Sequence, residues 1–310
     1  MGGLITGKVP EGLIVLITVV IPAYNSSRTI EDCLVSIQNQ TFDGRYEIVL
    51  VDNGSTDDTV AQACRIGVDK VVSSPGTTVY GARNEAVAEA EGDVLAFIDS
   101  DCVADPDWLS HGVGMLGGCD MVSGRILPQT SESPLLYNYD KYVARAHQER
   151  DGAEVSIAAG NAIMKRVVFD DVSGFNSALE TAGDSIFSMQ ASKKGFVVKY
   201  AVECIVYHPV DGFKRRLRRL FQEGYGASLK APIRYAGQST LQIVRKRARN
   251  LFVQVGFELC LIEHARREKA IGAFMAFRLV VFSIFMKSLS YLAILSANYL
   301  KRLNQFLARR

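Results

Sequence analysis

The hydrophobic positions of this chain come in two alternating rhythms over its first hundred residues. Ile14 to Ile21 is an almost unbroken apolar run, the pattern of a strand buried on both faces of a parallel sheet. A Pro22-Ala23-Tyr24-Asn25 turn follows, and from Ser27 the period lengthens so that Ile30, Leu34 and Ile37 share one helical face. Glu47 to Val51 is the second strand. Gly54 permits the turn after it, and Ser55-Thr56-Asp57-Asp58 offers N-cap oxygens to a helix running through Val60 and Ala63. Val71-Val72 makes a short third strand, Tyr80 to Ala90 a helix, and Val94 to Ile98 a central fourth strand preceded by Gly92. Strands that alternate with helices predict an α/β fold with a mostly parallel sheet, whose ligands gather at the carboxyl ends of the strands.

Beyond Pro106-Asp107-Trp108 the rhythm loosens. Met121 to Ile126 and Val155 to Ala158 read as strands in mixed or antiparallel pairing, with a helix from Pro134 to Gln148 between them. A helix starts near Gly183, and Phe196 to Tyr200 with Cys204 to His208 are two closing strands. From Asp211 onward the pattern is one of long helices. This predicts a domain over residues 1–210 and a helical region over 211–310. Gly112 to Gly117 spells G-x-G-x-x-G, but Asp107-Trp108-Leu109 before it is a helix start and not a strand, so no dinucleotide fingerprint is assigned.

Charge sharpens that division. The 310 residues carry a net +2, yet residues 1–210 hold 15 Lys and Arg against 28 Asp and Glu, a net of −13, and residues 211–310 hold 20 against 5, a net of +15. A basic second half faces something anionic. Phe213, Leu217, Leu220, Phe221 and Tyr225 fall at helical spacing among Lys214, Arg215, Arg216, Arg218 and Arg219, which suits either an anionic bilayer surface or packing on the rest of the protein. Between Ala270 and Leu300 only Arg278 and Lys287 are charged, and the longest uncharged run is too short for a simple span. Nucleic acid is the weaker partner, because the tail has no interleaved aromatic platform and no recognised motif. Six scattered cysteines without a C-x-x-C pair point to a reducing compartment, and Leu13 to Ile21, entered after Lys8 alone, is read as a strand and not as a secretion signal.

The candidate chemistry lies where the fourth strand ends. Asp99-Ser100-Asp101 closes Val94 to Ile98, about fifty residues after the second strand closes on Asp52. Alternate residues of an extended chain point the same way, so Asp99 and Asp101 can address one volume. A Mg²⁺ or Mn²⁺ ion held by one or two carboxylates keeps positions open for diphosphate oxygens and neutralises charge on a departing nucleotide. Carboxylates delivered by a buried strand in this way point to a nucleotide-sugar enzyme.

Together, Val20-Ile21-Pro22-Ala23-Tyr24-Asn25, Leu50 to Asp57, Gly81-Ala82-Arg83-Asn84 and Asp99-Ser100-Asp101 resemble the family 2 glycosyltransferases of the GT-A fold, over roughly residues 15 to 210. The resemblance implies a Rossmann-like mixed sheet flanked by helices, a nucleotide-diphosphate sugar donor with UDP favoured, Mn²⁺ or Mg²⁺, and inversion at the anomeric carbon. It implies that Pro22, Ala23, Tyr24, Asn25, Asp52, Asn53, Gly81, Arg83, Asn84, Asp99 and Ser100 form the donor site. Asp52 would take the imide N–H of a uracil or similar base with Tyr24 stacked beside it, or would simply form the turn. Arg83 would counter phosphate charge, or be a solvated helix arginine. Asp99 would approach the ribose and Asp101 the metal, with His208 as a further metal ligand or a structural histidine.

The same resemblance places Gly160 and Asn161 on the acceptor cleft and makes Asp184 the base, although Asp184 would also serve as a plain helix N-cap. Here the sequence departs from the family pattern, since Gly183 stands where a Glu usually precedes the aspartate. The only Trp is Trp108, so the Q-x-x-R-W signature of processive synthases is absent. The expected activity is transfer of a single sugar to a lipid-linked or membrane-associated acceptor, at the cytoplasmic face of a membrane contacted by the helical tail. The alternative is a catalytically silent nucleotide-sugar-binding or scaffold protein of the same fold.

Overall fold

The computed structural model describes residues 16–129, 137–138, 156–210 and 281. Two compact units divide the chain, one joining residues 1–127 and 150–209, the other joining 128–149 and 210–310. The described residues of the first unit form one eight-stranded sheet. Its strands are β1 (Ile17–Ala23), β2 (Tyr46–Asp52), β3 (Lys70–Ser73), β4 (Val94–Ile98), β5 (Val103–Ala104), β6 (Met121–Pro128), β7 (Asn161–Lys165) and β8 (Val198–His208). The order across the sheet is β3-β2-β1-β4-β7-β6-β8-β5.

Strands β3, β2, β1 and β4 run parallel, as expected of strands that alternate with helices. β7 then pairs antiparallel with β4, Ile98 opposite Asn161, and β6 antiparallel with β7. Six helices cover the faces: α1 (Ile30–Gln38), α2 (Thr59–Ile66), α3 (Val79–Glu89), α4 (Trp108–Met115), α5 (Arg166–Val172) and α6 (Gly183–Lys193). Because side chains alternate along β1, Ile17, Val19 and Ile21 join a core with Ile30, Leu34 and Ile37 of α1 and Trp108 of α4. Val20 faces the other way, into a core with Ala82 of α3, Phe169 of α5 and Phe187 of α6. The sheet is thus buried on both sides, which explains why β1, β2 and β4 read as continuous apolar runs.

Two expectations are corrected here. Among residues 156–158 only Ala158 pairs, in an isolated bridge with Asn161, and the strand proper is Asn161–Lys165, whose first four residues are buried. The two closing strands are one, β8, which runs on through the exposed pair Val202-Glu203, where the alternation of buried residues slips between Ala201 and Cys204. The helix α5 was not anticipated; its seven residues are too few for a helical period to show. The reading of Gly112 as helical holds, since it lies within α4, and a Cβ there would overlap Ile163 Cδ1 of β7. Tyr137 and Asn138 are helical, while the remainder of 134–148, the basic segment 213–225 and, except for Val281, the apolar segment 270–300 lie outside the described residues. No helix among the described residues is long and apolar enough to cross a membrane.

The loops after β1 and β2 are tied to each other before any ligand is considered. Asn25 sits in the left-handed region at φ 49°, which Asn tolerates, and from there its Oδ1 accepts the Thr56 N–H at 2.8 Å while its own N–H donates to Ser55 Oγ at 2.9 Å. Asp57 completes the tie. Its carboxylate accepts the Thr59 hydroxyl and, at 3.1 Å, the Ser27 N–H, and these bonds, the Thr59 hydroxyl foremost, hold its carboxyl down at about 2. A carboxyl lower in the folded chain than its unfolded value of about 4 stabilises the fold above that value and loses its effect as the pH falls toward the folded one. Asp57→Asn is therefore expected to melt below the parent protein at pH 7, with the two melting curves converging between about pH 4 and pH 2. A gap in melting temperature that stayed constant down to pH 2 would refute this account.

Candidate active site

The site assembles at the carboxyl edge of the parallel strands because β4 stops there. Asp99 and Asp101 follow Ile98 directly, and β7 comes up alongside in the opposite direction. Arg83 reaches this point from α3, 4% exposed, and its Nη2 forms an ion pair with Asp99 Oδ1. A guanidinium this deeply buried needs a fixed anion. Asp99 supplies it, so Arg83 is not a solvated helix arginine. Gly160 packs behind the same carboxylate, where a Cβ would stand 2.7 Å from Asp99 Oδ2. Ser100, also buried, shares a 2.8 Å hydrogen bond with the Ser26 hydroxyl, which joins the Asp99-Ser100-Asp101 turn to the loop after β1.

Asp101 faces His208 at the end of β8. The Nε2 to Oδ1 distance is 3.7 Å, and His208 Nδ1 lies 2.6 Å from the Pro209 carbonyl oxygen. A carbonyl only accepts, so Nδ1 carries a proton and Nε2 is the ring nitrogen directed toward Asp101. A ring fixed through one nitrogen and offering the other beside a carboxylate has the donor set of a divalent cation site. No group of three or more His, Cys, Asp or Glu able to hold a metal occurs among the described residues. Beneath Asp101 and His208, Cys33 and Cys102 are buried thiols pushed upward first by burial and then by the neighbouring aspartates, so they stay protonated and unreactive.

On the nucleotide side, Tyr24 is 61% exposed at the end of β1, a free ring face beside the end of β2 and not a core residue. Pro22 and Ala23 are the last residues of β1, paired with Val51 and Asp52. Asp52 accepts the Ser55 N–H at both carboxylate oxygens, 3.1 and 3.2 Å, so the turn role is present. Asn53 donates to the Thr77 carbonyl at 3.1 Å, and Gly81 lies in the first turn of α3, its N–H capped by the Thr78 hydroxyl at 3.1 Å. Asn84 is placed differently from expectation. Its amide makes a two-way tie to the Phe175 main chain at 2.7 and 2.9 Å, and so holds the loop before α6 instead of addressing a ligand.

Asn161 also departs from expectation. It is 0% exposed: Nδ2 donates to the carbonyls of Arg125 and Cys204 at 3.0 and 2.9 Å, and Oδ1 accepts Trp108 Nε1–H at 2.8 Å. Its side chain knits β6, β8 and α4 together and cannot line an acceptor cleft. Asp184 occupies the first turn of α6, where Oδ1 accepts the Ser185 N–H at 2.7 Å and the Tyr80 hydroxyl at 3.4 Å, and Oδ2 accepts the Ala159 N–H at 3.3 Å. It is thus tied to the segment whose next residue, Gly160, abuts Asp99. Tyr80 was not among the residues singled out from the sequence. The one signal that could have found it was the unusual Gly183.

The sequence model of the family described as Glycosyl transferase family 2 matches residues 18–173. Glycosyltransferase AglE of Haloferax volcanii is 28% identical over 219 residues, 68% of this chain and 72% of that protein. O-antigen chain rhamnosyltransferase RfbN of Salmonella typhimurium is 28% identical over 221 residues, 64% of this chain and 69% of its own length. Among solved structures, mannosyltransferase PcManGT from Pyrobaculum calidifontis, in complex with GDP-Man and Mn²⁺, superposes with a TM-score of 0.63 at 20% identity, covering 91% of this chain and 86% of that one. S. aureus TarS 1-349 in complex with UDP-GlcNAc superposes at 0.50 with 14% identity, covering 93% and 92%. The mixed sheet with its flanking helices is consistent with the GT-A fold.

Asn161→Ala would take a hydrogen bond from the buried Trp108 N–H and Cys204 carbonyl, each costing about 1–3 kcal/mol, and from the half-buried Arg125 carbonyl. Urea unfolding is expected to show a stability loss of at least about 2 kcal/mol. A loss below about 1 kcal/mol would mean that water replaces the amide and that the residue is more open than described.

Proposed function

The chain belongs to glycosyl transferase family 2, and from that premise we propose that this glycosyltransferase moves one sugar, with inversion, from a nucleotide-diphosphate donor to a lipid-linked or membrane-associated acceptor. The observation that carries the reading is that two acidic side chains at the end of β4 sit in different settings, with a third held on a helix tied to the segment behind them. Asp99 is bound to buried Arg83, Asp101 faces Nε2 of His208, and Asp184 stands apart on α6, tied through Ala159 to the segment behind Asp99.

Each setting suits a different task. Asp101 and His208 would hold Mn²⁺ or Mg²⁺, which when bound neutralises negative charge on the leaving diphosphate. Asp99, its position set by Arg83, is placed for the ribose, and Tyr24 offers an exposed ring to the base, with the uracil of a UDP-sugar favoured by the carboxylate of Asp52. Asp184 takes the proton from the acceptor hydroxyl as that oxygen attacks from the face opposite the leaving group. Support for a nucleotide-sugar donor comes from the neighbours in complex with GDP-Man and UDP-GlcNAc.

Nucleoside diphosphate release from UDP- and GDP-sugars in the presence of Mn²⁺ tests the catalytic part. Asp184→Asn is expected to lower kcat about 10²- to 10⁴-fold while still binding the nucleotide, the loss typical of a missing general base. Asp101→Ala should lose the response to Mn²⁺ altogether. A silent binding protein would instead bind donor and turn over nothing in any form, and activity undiminished by EDTA would remove the metal from the scheme.

The net +15 of residues 211–310 supports seating at an anionic membrane face, with the acceptor presented there. The full chain is expected to co-sediment with phosphatidylglycerol vesicles and far less with phosphatidylcholine. Equal partition to both, or to neither, would count against charge as the anchor.

A further inference from the structure

Gly183 is the place where this sequence breaks the pattern it otherwise follows, and the structure gives the break a physical cause. A Cβ at Gly183 would stand 2.7, 2.8 and 2.9 Å from Cε2, Cδ2 and Cγ of Tyr80. Real Cβ atoms do not approach an aromatic ring so closely, so no side chain fits there while Tyr80 keeps its place. The ring is held on its other sides as well, against Phe175 with centroids 5.6 Å apart and beneath the Arg83 guanidinium at 5.7 Å. A tyrosine clamped in this way has little choice about where its hydroxyl goes, and it goes to Asp184 Oδ1.

Among the described residues three groups donate to the Asp184 carboxylate, and two of them are the main-chain N–H groups of Ser185 and Ala159. Tyr80 is the third. Burial first, and then the nearby Asp184 carboxylate, push the Tyr80 hydroxyl up to about 12, so at neutral pH it remains a proton donor. Arg83, one helical turn along α3, makes the ion pair with Asp99. One helix face therefore sets a carboxylate on each side of the site.

We propose that Tyr80 is a positioning residue for Asp184: its hydroxyl fixes the plane of the carboxylate that accepts the proton, and Gly183 is the seat its ring requires in place of an acidic residue. The proposal rests on Asp184 being the base. Tyr80 neither gives up nor gains a proton in the reaction. The proton of the acceptor hydroxyl passes to Asp184, and Tyr80 donates the same hydrogen bond throughout.

The test uses the full chain, with Tyr80→Phe, Asp184→Asn and the double variant, and reads nucleoside diphosphate release from GDP-mannose and UDP-N-acetylglucosamine with Mn²⁺ alongside thermal unfolding. Tyr80→Phe keeps the ring on Gly183 and removes only the hydroxyl. It is expected to lower kcat about tenfold, the value of a hydrogen bond to a charged group, with donor KM unchanged and the melting temperature lowered by no more than a few degrees. Added to Asp184→Asn it should change nothing further, because the hydroxyl acts through the carboxylate.

A kcat equal to the parent's, or a loss that repeats in full on Asp184→Asn, overturns the positioning role and leaves the base intact. Full activity in Asp184→Asn overturns the base reading itself, a separate result. The seat is tested without any donor: Gly183→Glu should lower the melting temperature, and Tyr80→Ser in the same chain should restore most of it. An unchanged melting temperature in Gly183→Glu would refute the seat, and with it the proposal.

Discussion

The ion pair between Arg83 and Asp99 is the contact on which the rest of the site depends. A guanidinium 4% exposed would be untenable without an anion at fixed distance. Meeting that need pins the first residue after β4, and the chain must then turn so that Ser100 meets Ser26 and Asp101 faces His208. The same demand reaches β7. Gly160 has to lack a Cβ because Asp99 Oδ2 lies where it would be. A charge buried to satisfy one helix thus dictates the sequence of a loop more than seventy residues further along.

Helix α3 carries this constraint to both halves of the site. Arg83 points to the β4 edge, Tyr80 and Asn84 to the loop and helix start that hold Asp184, and Thr78 donates to the Ser177 carbonyl at 2.8 Å. Positions three and four apart on a helix share a face, which is how one short element touches both. It also explains why α3 shows no clear apolar stripe in the sequence: the face turned inward bears an arginine, an asparagine and a tyrosine, all committed to polar partners.

How much of this was legible follows from the same physics. The bounds of β4 were readable to the residue, because a strand buried on both faces must be apolar throughout and Asp99 ends it. The four motifs fixed the family for the same reason, since loops at a strand edge have little freedom in residue type. What stayed hidden depends on contacts distant in sequence. Asn161 read as an acceptor-cleft residue beside Gly160, and nothing local reveals that its amide faces Trp108, Arg125 and Cys204. Arg83 was visible as a charge near the site, but its burial, and so its partner, was not. Tyr80 left its trace only at Gly183, a hundred residues away.

The chemistry that the family membership establishes needs the leaving group stabilised and the acceptor deprotonated in one enclosure, and acidic side chains crowded together would repel each other and any diphosphate. The arrangement answers this by giving each a different counterpart: a buried cation for Asp99, an imidazole edge for Asp101, and neutral donors for Asp184. In the proposed reaction Asp101 and His208 supply part of the ligand set of a divalent cation, and the diphosphate of the donor adds to it. Cation and donor would then bind together, each strengthening the hold of the pocket on the other.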